Sequence, residues 1–437
     1  MTDLEFILNK LEDNGFKSYI VGGYLRDKYL NKSSSDVDIA TLARPSEIKE
    51  IFKDLKIIDI GKKFGTIKVI KNSKEFEITT FRSDMDYKDM RHPDKIKFSN
   101  SIYEDLKRRD FTINAMAYRK KELIDPFGGL SDINDKVIRA VGDANERIKE
   151  DYLRALRAIR FAAVLDFSLD EDLFNAIRQL NQNISYISKE RINVELSKIL
   201  TSKKPKMAIE LLRKTGLLKK LLPEVDDMYG FDQHSSFHDY DLYTHSLKVL
   251  ENTKEDLITR IAALFHDTGK IETFFIDERG EGRFFGHQEL SSKLAQRRLR
   301  KLKFSKDLIN RSSVLISRHM DNTNDYTRKS IRKLIRRVGD KDIYRLLDLQ
   351  KADILATNHN DLSNIYKAYE LIESLKDDEL STKKNFLKIN GHELIKIGYQ
   401  EGKEIGKLLE ELNNMVLDER IENDKKTLLK YAKDKLN

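Results

Sequence analysis

Residues 22–41 read GGYLRDKYLNKSSSDVDIAT. In an extended strand, side chains two apart share a face, so Asp36 and Asp38 project together while Val37 and Ile39 turn toward a core. Two carboxylates side by side repel unless a cation neutralises them, and an all-oxygen ligand set favours Mg2+. Gly22 and Gly23 let the backbone approach an anion and offer it N–H groups, and Arg26 can clamp its oxygens. An isolated Asp-x-Asp is more often a pair of turn residues at a strand end. The Gly-Gly-x-x-Arg-Asp string ahead of it points instead to a phosphoryl-transfer site with Asp36 and Asp38 as its catalytic carboxylates. Glu77, on a later strand, is either a third carboxylate or an inert solvent-facing residue.

Working outward, short β-rich runs at Tyr19–Val21, Val37–Ile39, Thr66–Ile70 and Phe76–Phe81 alternate with Gly, Ser, Asn and Asp. From about Glu146 the apolar spacing turns helical, as in Leu153, Leu156 and Ile159, and again in Leu257, Ile258, Ile261 and Leu264. The fold class is therefore α+β: a head with a mixed sheet, followed by helices. The N-terminal MTDLEFILNKLEDNG reads as an amphipathic helix rather than a signal peptide, and the lysine-rich C-terminus as a final exposed helix. At 437 residues, the length suggests about three domains. The absence of cysteine excludes disulfides, thiolate zinc sites and cysteine nucleophiles. A formal charge of +8 suits a polyanionic partner or a solvated surface equally. With no apolar run of membrane-spanning length, no membrane partner is expected and the protein is expected in the cytoplasm.

Five strings follow one another: GGYLRDKYLNKSSSDVDIAT, EDLKRRDFTINAMAY at 104–118, DPFGGLSDI at 125–133, EDYLRALRAIRFAA at 150–163 and ERINVEL at 190–196. Together they resemble the ordered motifs of class II tRNA nucleotidyltransferases, the CCA-adding enzymes, and of the related bacterial poly(A) polymerases. The resemblance covers roughly the first half of the chain. It implies addition of C, C and A to the tRNA 3′ end from CTP and ATP, two-metal chemistry with Mg2+ on Asp36 and Asp38, and nucleotide contacts from Gly23, Arg26, Arg109, Asp151, Arg154, Arg157 and Arg160. The expected organisation is a catalytic head at 1–140, a helical neck at 141–205, a helical body at 206–360 and a tRNA-binding helical tail at 361–437.

Within the neck, Asp151 and Arg154 are expected three apart on one helix and therefore on one face. A carboxylate acceptor beside a guanidinium donor matches the Watson–Crick edges of cytosine and adenine, which offer an amino donor next to a ring-nitrogen acceptor. Guanine and uracil present the reverse and would leave buried groups unpaired. The plainer alternative is an Asp151–Arg154 surface ion pair. Three arginines in a row, at 154, 157 and 160, repel one another unless an anion lies along them, and a triphosphate is the expected one. The polar stretch FRSDMDYKDMRHPDKIKF at 81–98 reads as a mobile loop. In the family a loop here accompanies the switch from CTP to ATP, so its presence implies addition of A; it also fits an ordinary connection.

A second constellation lies further on. His245, His266-Asp267 after the apolar helix IAALFHD, and a distant Asp353 resemble the HD phosphohydrolase superfamily, with His287 and His319 as further ligands that would make the centre dinuclear. Imidazole and carboxylate without thiolate favour Mn, Ni, Co, Fe or Mg. The plainer reading of each histidine is a capping or hydrogen-bonding residue. His234, His238 and His359 are expected at the surface. Competing assignments are an enzyme that adds A only, a poly(A) polymerase, and, in another class, an HD phosphodiesterase whose head has become a regulatory nucleotide-binding module. A purely structural RNA-binding protein would need no paired carboxylates.

Overall fold

The computed structural model describes residues 2–32, 37–61, 65–84, 96–234, 240–321, 325–358, 361–377, 387–400, 402–417 and 420–436. The chain divides into two compact units, Met1–Asp227 with Lys301–Phe304, and Met228–Arg300 with Ser305–Asn437.

The first unit opens with α1 (Asp3–Asp13), started by a capping box in which the Thr2 hydroxyl accepts the Glu5 N–H at 3.2 Å and the Glu5 carboxylate accepts the Thr2 N–H at 2.7 Å. There follow β1 (Ser18–Val21), α2 (Gly22–Tyr29), β2 (Val37–Thr41), α3 (Pro45–Ile51), β3 (Lys56–Gly61), β4 (Thr66–Lys71), β5 (Lys74–Thr80), β6 (Arg82–Asp84), β7 (Ile96–Phe98), α4 (Ile102–Lys107), β8 (Ala117–Arg119) and β9 (Glu122–Ile124). Seven of these strands form one sheet in the order β3-β4-β5-β2-β1-β8-β9, with β2 and β5 parallel and the remaining pairs antiparallel. One core cluster gathers Val37, Ile39, Ile67, Val69, Phe76 and Ile78 of the sheet with Ile7 and Leu11 of α1 and Ile48 of α3. Each fully buried side chain of this kind contributes on the order of 2 kcal/mol. Because Val37 and Ile39 are drawn into that core, the alternation leaves Asp38 on the opposite face.

The polar stretch after β5 departs from a simple loop. Its ends pair as an antiparallel ribbon of β6 and β7, with Arg82 opposite Phe98 and Asp84 opposite Ile96. The Arg44 guanidinium lies 4.4 Å from the centre of the Phe98 ring, which anchors the ribbon through a contact that charge alternation does not reveal. Residues 85–95 lie outside the described residues.

Helices then take over: α5 (Gly129–Asn134), α6 (Ala144–Glu150), α7 (Leu153–Leu165), α8 (Glu171–Leu180) and α9 (Lys189–Leu200). In the second unit the largely apolar helix Leu257–Phe265 is buried from Thr259 onward and packs against Leu242–Asn252, Lys306–Arg318 and Asp342–Leu355. A separate cluster of Leu394, Leu408, Leu412 and Val416 takes in Leu428 and Ala432. The last helix, Lys425–Leu436, therefore buries one face rather than standing wholly exposed. Among the described residues, no helix is long and apolar enough to cross a membrane.

Candidate active site

The turn from β1 into α2 forms the floor of the site. Gly22 has φ +68°, a conformation that favours glycine, and a Cβ there would lie 2.6 Å from Asp38 Oδ2, so any side chain would have to displace that carboxylate. The Gly23 N–H donates to the same oxygen at 3.2 Å. Asp38 pairs in register with Glu77 across the parallel β2 and β5, which puts two carboxylates on one face of the sheet at adjacent-strand spacing. Glu77 is also 3.4 Å from Lys68 Nζ. Asp36 lies outside the described residues.

Arginines line the facing wall of a cleft of about 750 Å³ that also holds Gly22, Gly23, Asp38 and Glu77. Arg26 is buried. It donates from Nε and Nη2 to Asp27 at 2.9 and 2.7 Å and from Nη1 to Asn114 Oδ1 at 2.8 Å. Arg109 donates to Asp105 Oδ2 at 3.1 Å and to the Asn114 carbonyl at 3.3 Å. Its Nε is buried and has no hydrogen-bond partner among the described residues, a donor in want of an acceptor.

The neck departs from the expected helix. Asp151 is extended, with φ −154° and ψ 105°, and separates α6 from α7. Its carboxylate accepts the Leu153 N–H at 3.1 Å, which gives the chain a local alternative to continued helix. Asp151 and Arg154 thus flank a helix start instead of sharing a helical face. They do not pair with each other: Asp151 takes Arg191 at 2.6 and 3.3 Å, and Arg154 donates to Glu150, to the Arg147 carbonyl at 2.9 Å and to the Arg108 carbonyl at 3.3 Å.

The arginine row is likewise relieved by the protein itself. Arg157 donates to Asp110 Oδ2 at 2.8 and 2.5 Å, and Arg160 to Glu195 at 2.6 Å. Their mutual repulsion therefore does not by itself demand an external anion. Burial pushes the Asp110 carboxyl up, but Arg157 and the Asn114 amide outweigh it and hold the group well below the usual carboxylate range. Asp110, Asn114, Arg191 and Glu195 were not singled out in the sequence, although they sit inside the strings RRDFTIN and ERINVEL. The signal was present, but the pairing is tertiary.

In the second unit the histidines converge on Asp267. His266 Nε2 lies 3.1 Å from Asp267 Oδ2, and His245 Nε2 lies 3.8 Å from that oxygen and 3.0 Å from Asp353 Oδ1. On the other side, His287 and His319 place Nε2 at 3.3 and 3.7 Å from Asp267 Oδ1. Asp267 thus bridges two ligand sets, His245-His266-Asp267 and Asp267-His287-His319. Nδ1 of His266, His287 and His319 lies 2.8, 2.8 and 2.7 Å from the carbonyl three residues earlier. Donating there fixes the tautomer and turns Nε2 toward the cluster, as metal-ligating imidazoles require. Burial alone would push His266 down, yet Asp267 and Asp353 raise it to about 10. Burial and the facing His266 push His319 down to about 4. His234 is half-exposed; His238 and His359 lie outside the described residues.

Three known families match the chain: "Poly A polymerase head domain" over residues 18–139, "Probable RNA and SrmB- binding site of polymerase A" over 166–229, and "tRNA nucleotidyltransferase domain 2 putative" over 284–432. The CCA-adding enzyme of Pediococcus pentosaceus is 36% identical over 98% of this chain and 96% of its own. That of Ligilactobacillus salivarius is 34% identical over 98% and 95%. The solved CCA-adding enzyme of Bacillus stearothermophilus in complex with CTP superposes with a TM-score of 0.75 at 27% identity, covering 100% of this chain and 98% of that one. With relatives of this identity along almost its whole length, the chain belongs to the CCA-adding enzyme family, tRNA nucleotidyltransferases of α+β fold.

Proposed function

We propose that the cleft adds C, C and A to a tRNA 3′ end from CTP and ATP, with Asp36, Asp38 and Glu77 holding Mg2+. The observation that carries this is Asp38 facing Glu77 across the sheet, in an arginine-lined cleft that also contains Asp151 and Arg154. The donor set fits a hard cation, being all oxygen, with Asp36 assigned by its position in the motif. Bound divalent ions supply charge to the triphosphate and acidify the attacking hydroxyl. The remaining work belongs to the chain. Gly23, Arg26 and Arg109 bind phosphate oxygens, and Arg157 and Arg160 flank the same cleft.

Selection falls to Asp151 and Arg154. A guanidinium has five N–H donors, and Arg154 uses three in the bonds above, leaving two. A carboxylate has about four acceptor sites, of which Asp151 uses three, leaving one. One free acceptor beside free donors suits the amino group and ring nitrogen of cytosine or adenine. Each remaining partner of the two residues fixes its orientation, so the reading edge is built in advance of binding.

The functional division follows as head 1–140, neck 141–205, body 206–360 and tRNA-binding tail 361–437, with the protein at work in the cytoplasm. The assay is incubation of the protein with Mg2+, each nucleoside triphosphate singly and together, and tRNA transcripts ending before CCA, after CC, or complete. Two C residues and one A, then arrest, and loss of all addition in Asp38→Ala, are the expected results. Addition of A to CC ends alone, or long A tails, would overturn the CCA reading in favour of the A-adding or poly(A) alternatives.

A second reading stands beside this one because of the locked imidazoles around Asp267. His245, His266, Asp267, Asp353, His287 and His319 hold one or two divalent ions (Mn, Ni, Co, Fe or Mg) and form a phosphoester hydrolysis centre. Elemental analysis of protein dialysed against each metal tests it: retained metal that His266→Ala releases supports the centre, and no retention by the intact protein rejects it.

A further inference from the structure

On α9, Arg191, Glu195 and Lys198 follow at spacings of four and three and therefore share one face of the helix. Arg191 binds Asp151 and Glu195 binds Arg160, so from Arg191 to Lys198 the helix runs from the base-reading residues past the end of the arginine row. At a rise of 1.5 Å per residue, Lys198 stands about 10 Å along the axis from Arg191. It too lines the cleft.

Its charge is handled differently from that of its neighbours in the wall. Each neck arginine of the cleft is held by a carboxylate of the protein: Arg154 by Glu150, Arg157 by Asp110, Arg160 by Glu195 and Arg191 by Asp151. Lys198 is exposed and, among the described residues, its ammonium has no carboxylate partner. Lys203, in the turn after α9, is likewise exposed and without one, and it lies outside the lining of the cleft. No acid interrupts residues 196–209, which hold lysines at 198, 203, 204 and 206. Uncompensated positive charge thus begins inside the cleft and continues beyond it. The helix dipole also favours a cation in the last turn of α9, but that role is read in unfolding and leaves substrate affinity alone.

We propose that Lys198, continued by Lys203, grips phosphodiester groups of the tRNA 3′ strand where it leaves the cleft, and so holds the end that is being extended. This rests on the reading of the cleft as the nucleotidyl-transfer site. Phosphate oxygens are common to the RNA backbone and to a triphosphate, and two features favour the backbone. A triphosphate ends within the cleft, whereas the lysines lead out of it. The arginines are fixed in orientation by their carboxylates, which suits a triphosphate bound in one place at every addition. The RNA strand must instead shift by one nucleotide after each addition, and an ammonium on a flexible four-carbon stem can take successive phosphates without rebuilding a bidentate geometry.

The test is steady-state addition of A to a CC-ended tRNA, with tRNA and ATP varied in turn. Lys198→Gln should raise KM for tRNA about three- to tenfold, leave KM for ATP and kcat near the wild-type values, and make the fall of tRNA affinity with salt shallower by about one in the log–log slope. Lys198→Arg should restore both, Lys203→Gln should act in the same direction, and thermal unfolding shows that the variants fold. An unchanged KM for tRNA, or a rise in KM for ATP alone, overturns the grip, the second result giving Lys198 to the triphosphate. If the wild type adds no nucleotide to any tRNA, the transfer reading fails by itself, and fluorescence anisotropy of labelled tRNA still decides: weaker binding by Lys198→Gln supports the grip, and equal binding overturns it.

Discussion

At Gly22 the backbone conformation and the Asp38 carboxylate press on the same atom. A methyl group there would meet Asp38 Oδ2 at 2.6 Å and Arg109 Nη1 at 3.2 Å, at a φ that L residues rarely adopt. Gly22→Ala is therefore expected to cost about 1–2 kcal/mol in stability, while lowering nucleotide addition by at least about a hundredfold, since a displacement near 1 Å at a reacting group has that effect. Thermal unfolding and single-turnover addition on a CC-ended tRNA separate the two, and full activity in a folded variant would mean the turn has no part in aligning Asp38. Glu77 stands opposite Asp38 and 40% of its side chain is exposed, so Glu77→Gln should leave unfolding nearly unchanged. If the residue shares the metal, addition falls steeply and partly recovers as Mg2+ is raised. If it is an inert strand residue, the Mg2+ titration matches the wild type.

The break between α6 and α7 puts Asp151 beside the start of α7, where its carboxylate meets Arg191 of α9. From the middle of the row Arg154, Arg157 and Arg160, α7 reaches the head through Arg157 and Asp110. Asp110 also accepts the Phe111 N–H at 2.9 Å and the Asn114 amide at 3.1 Å, so one buried carboxylate ties the neck to the loop that carries Arg109. Asp110→Asn keeps the size but removes the charge facing Arg157, and is expected to lower stability by about 3 kcal/mol and to reduce addition of C and of A alike. A loss confined to one nucleotide, measured with CTP and ATP separately, would contradict this positioning role. How much of this was legible beforehand depends on range. Asp38 on one face of β2 and the apolar helix ahead of His266 follow from local periodicity, and the sequence reading placed both. The partners of Asp151, Arg157 and Arg160 lie 35 to 47 residues away in the chain, where no spacing rule applies. The Asp151 helix assignment failed for a local reason: its side chain bonds the Leu153 N–H and ends α6.

Across the whole chain the two candidate centres fall in different compact units, and so do the forces that keep them folded. In the second unit Asp256 caps the helix Leu257–Phe265 by accepting the Thr259 N–H at 2.9 Å and binds Arg345 at 2.9 and 3.0 Å. Burial pushes its carboxyl up, but Arg345 and Thr259 outweigh burial and lower it to about 2. A depressed pKa contributes stability that is present above the unfolded value near about 4 and lost as pH falls toward the folded value. Asp256→Asn should therefore unfold at a lower temperature than the wild type at neutral pH, with the gap closing between about pH 4 and 2; a constant gap would assign the effect to packing. The same separation governs metals. Binding to the native centre alone stabilises by about 2.7 kcal/mol at a hundredfold excess over Kd, so Mn2+ or Ni2+ should raise the unfolding temperature of the wild type and of Asp38→Ala, but not of His266→Ala. Nucleotide addition should fail in Asp38→Ala and persist in His266→Ala. Loss of addition in a folded His266→Ala would join the centres into one functional system. Metal-dependent stabilisation that survives in His266→Ala would place the bound ion away from the Asp267 cluster.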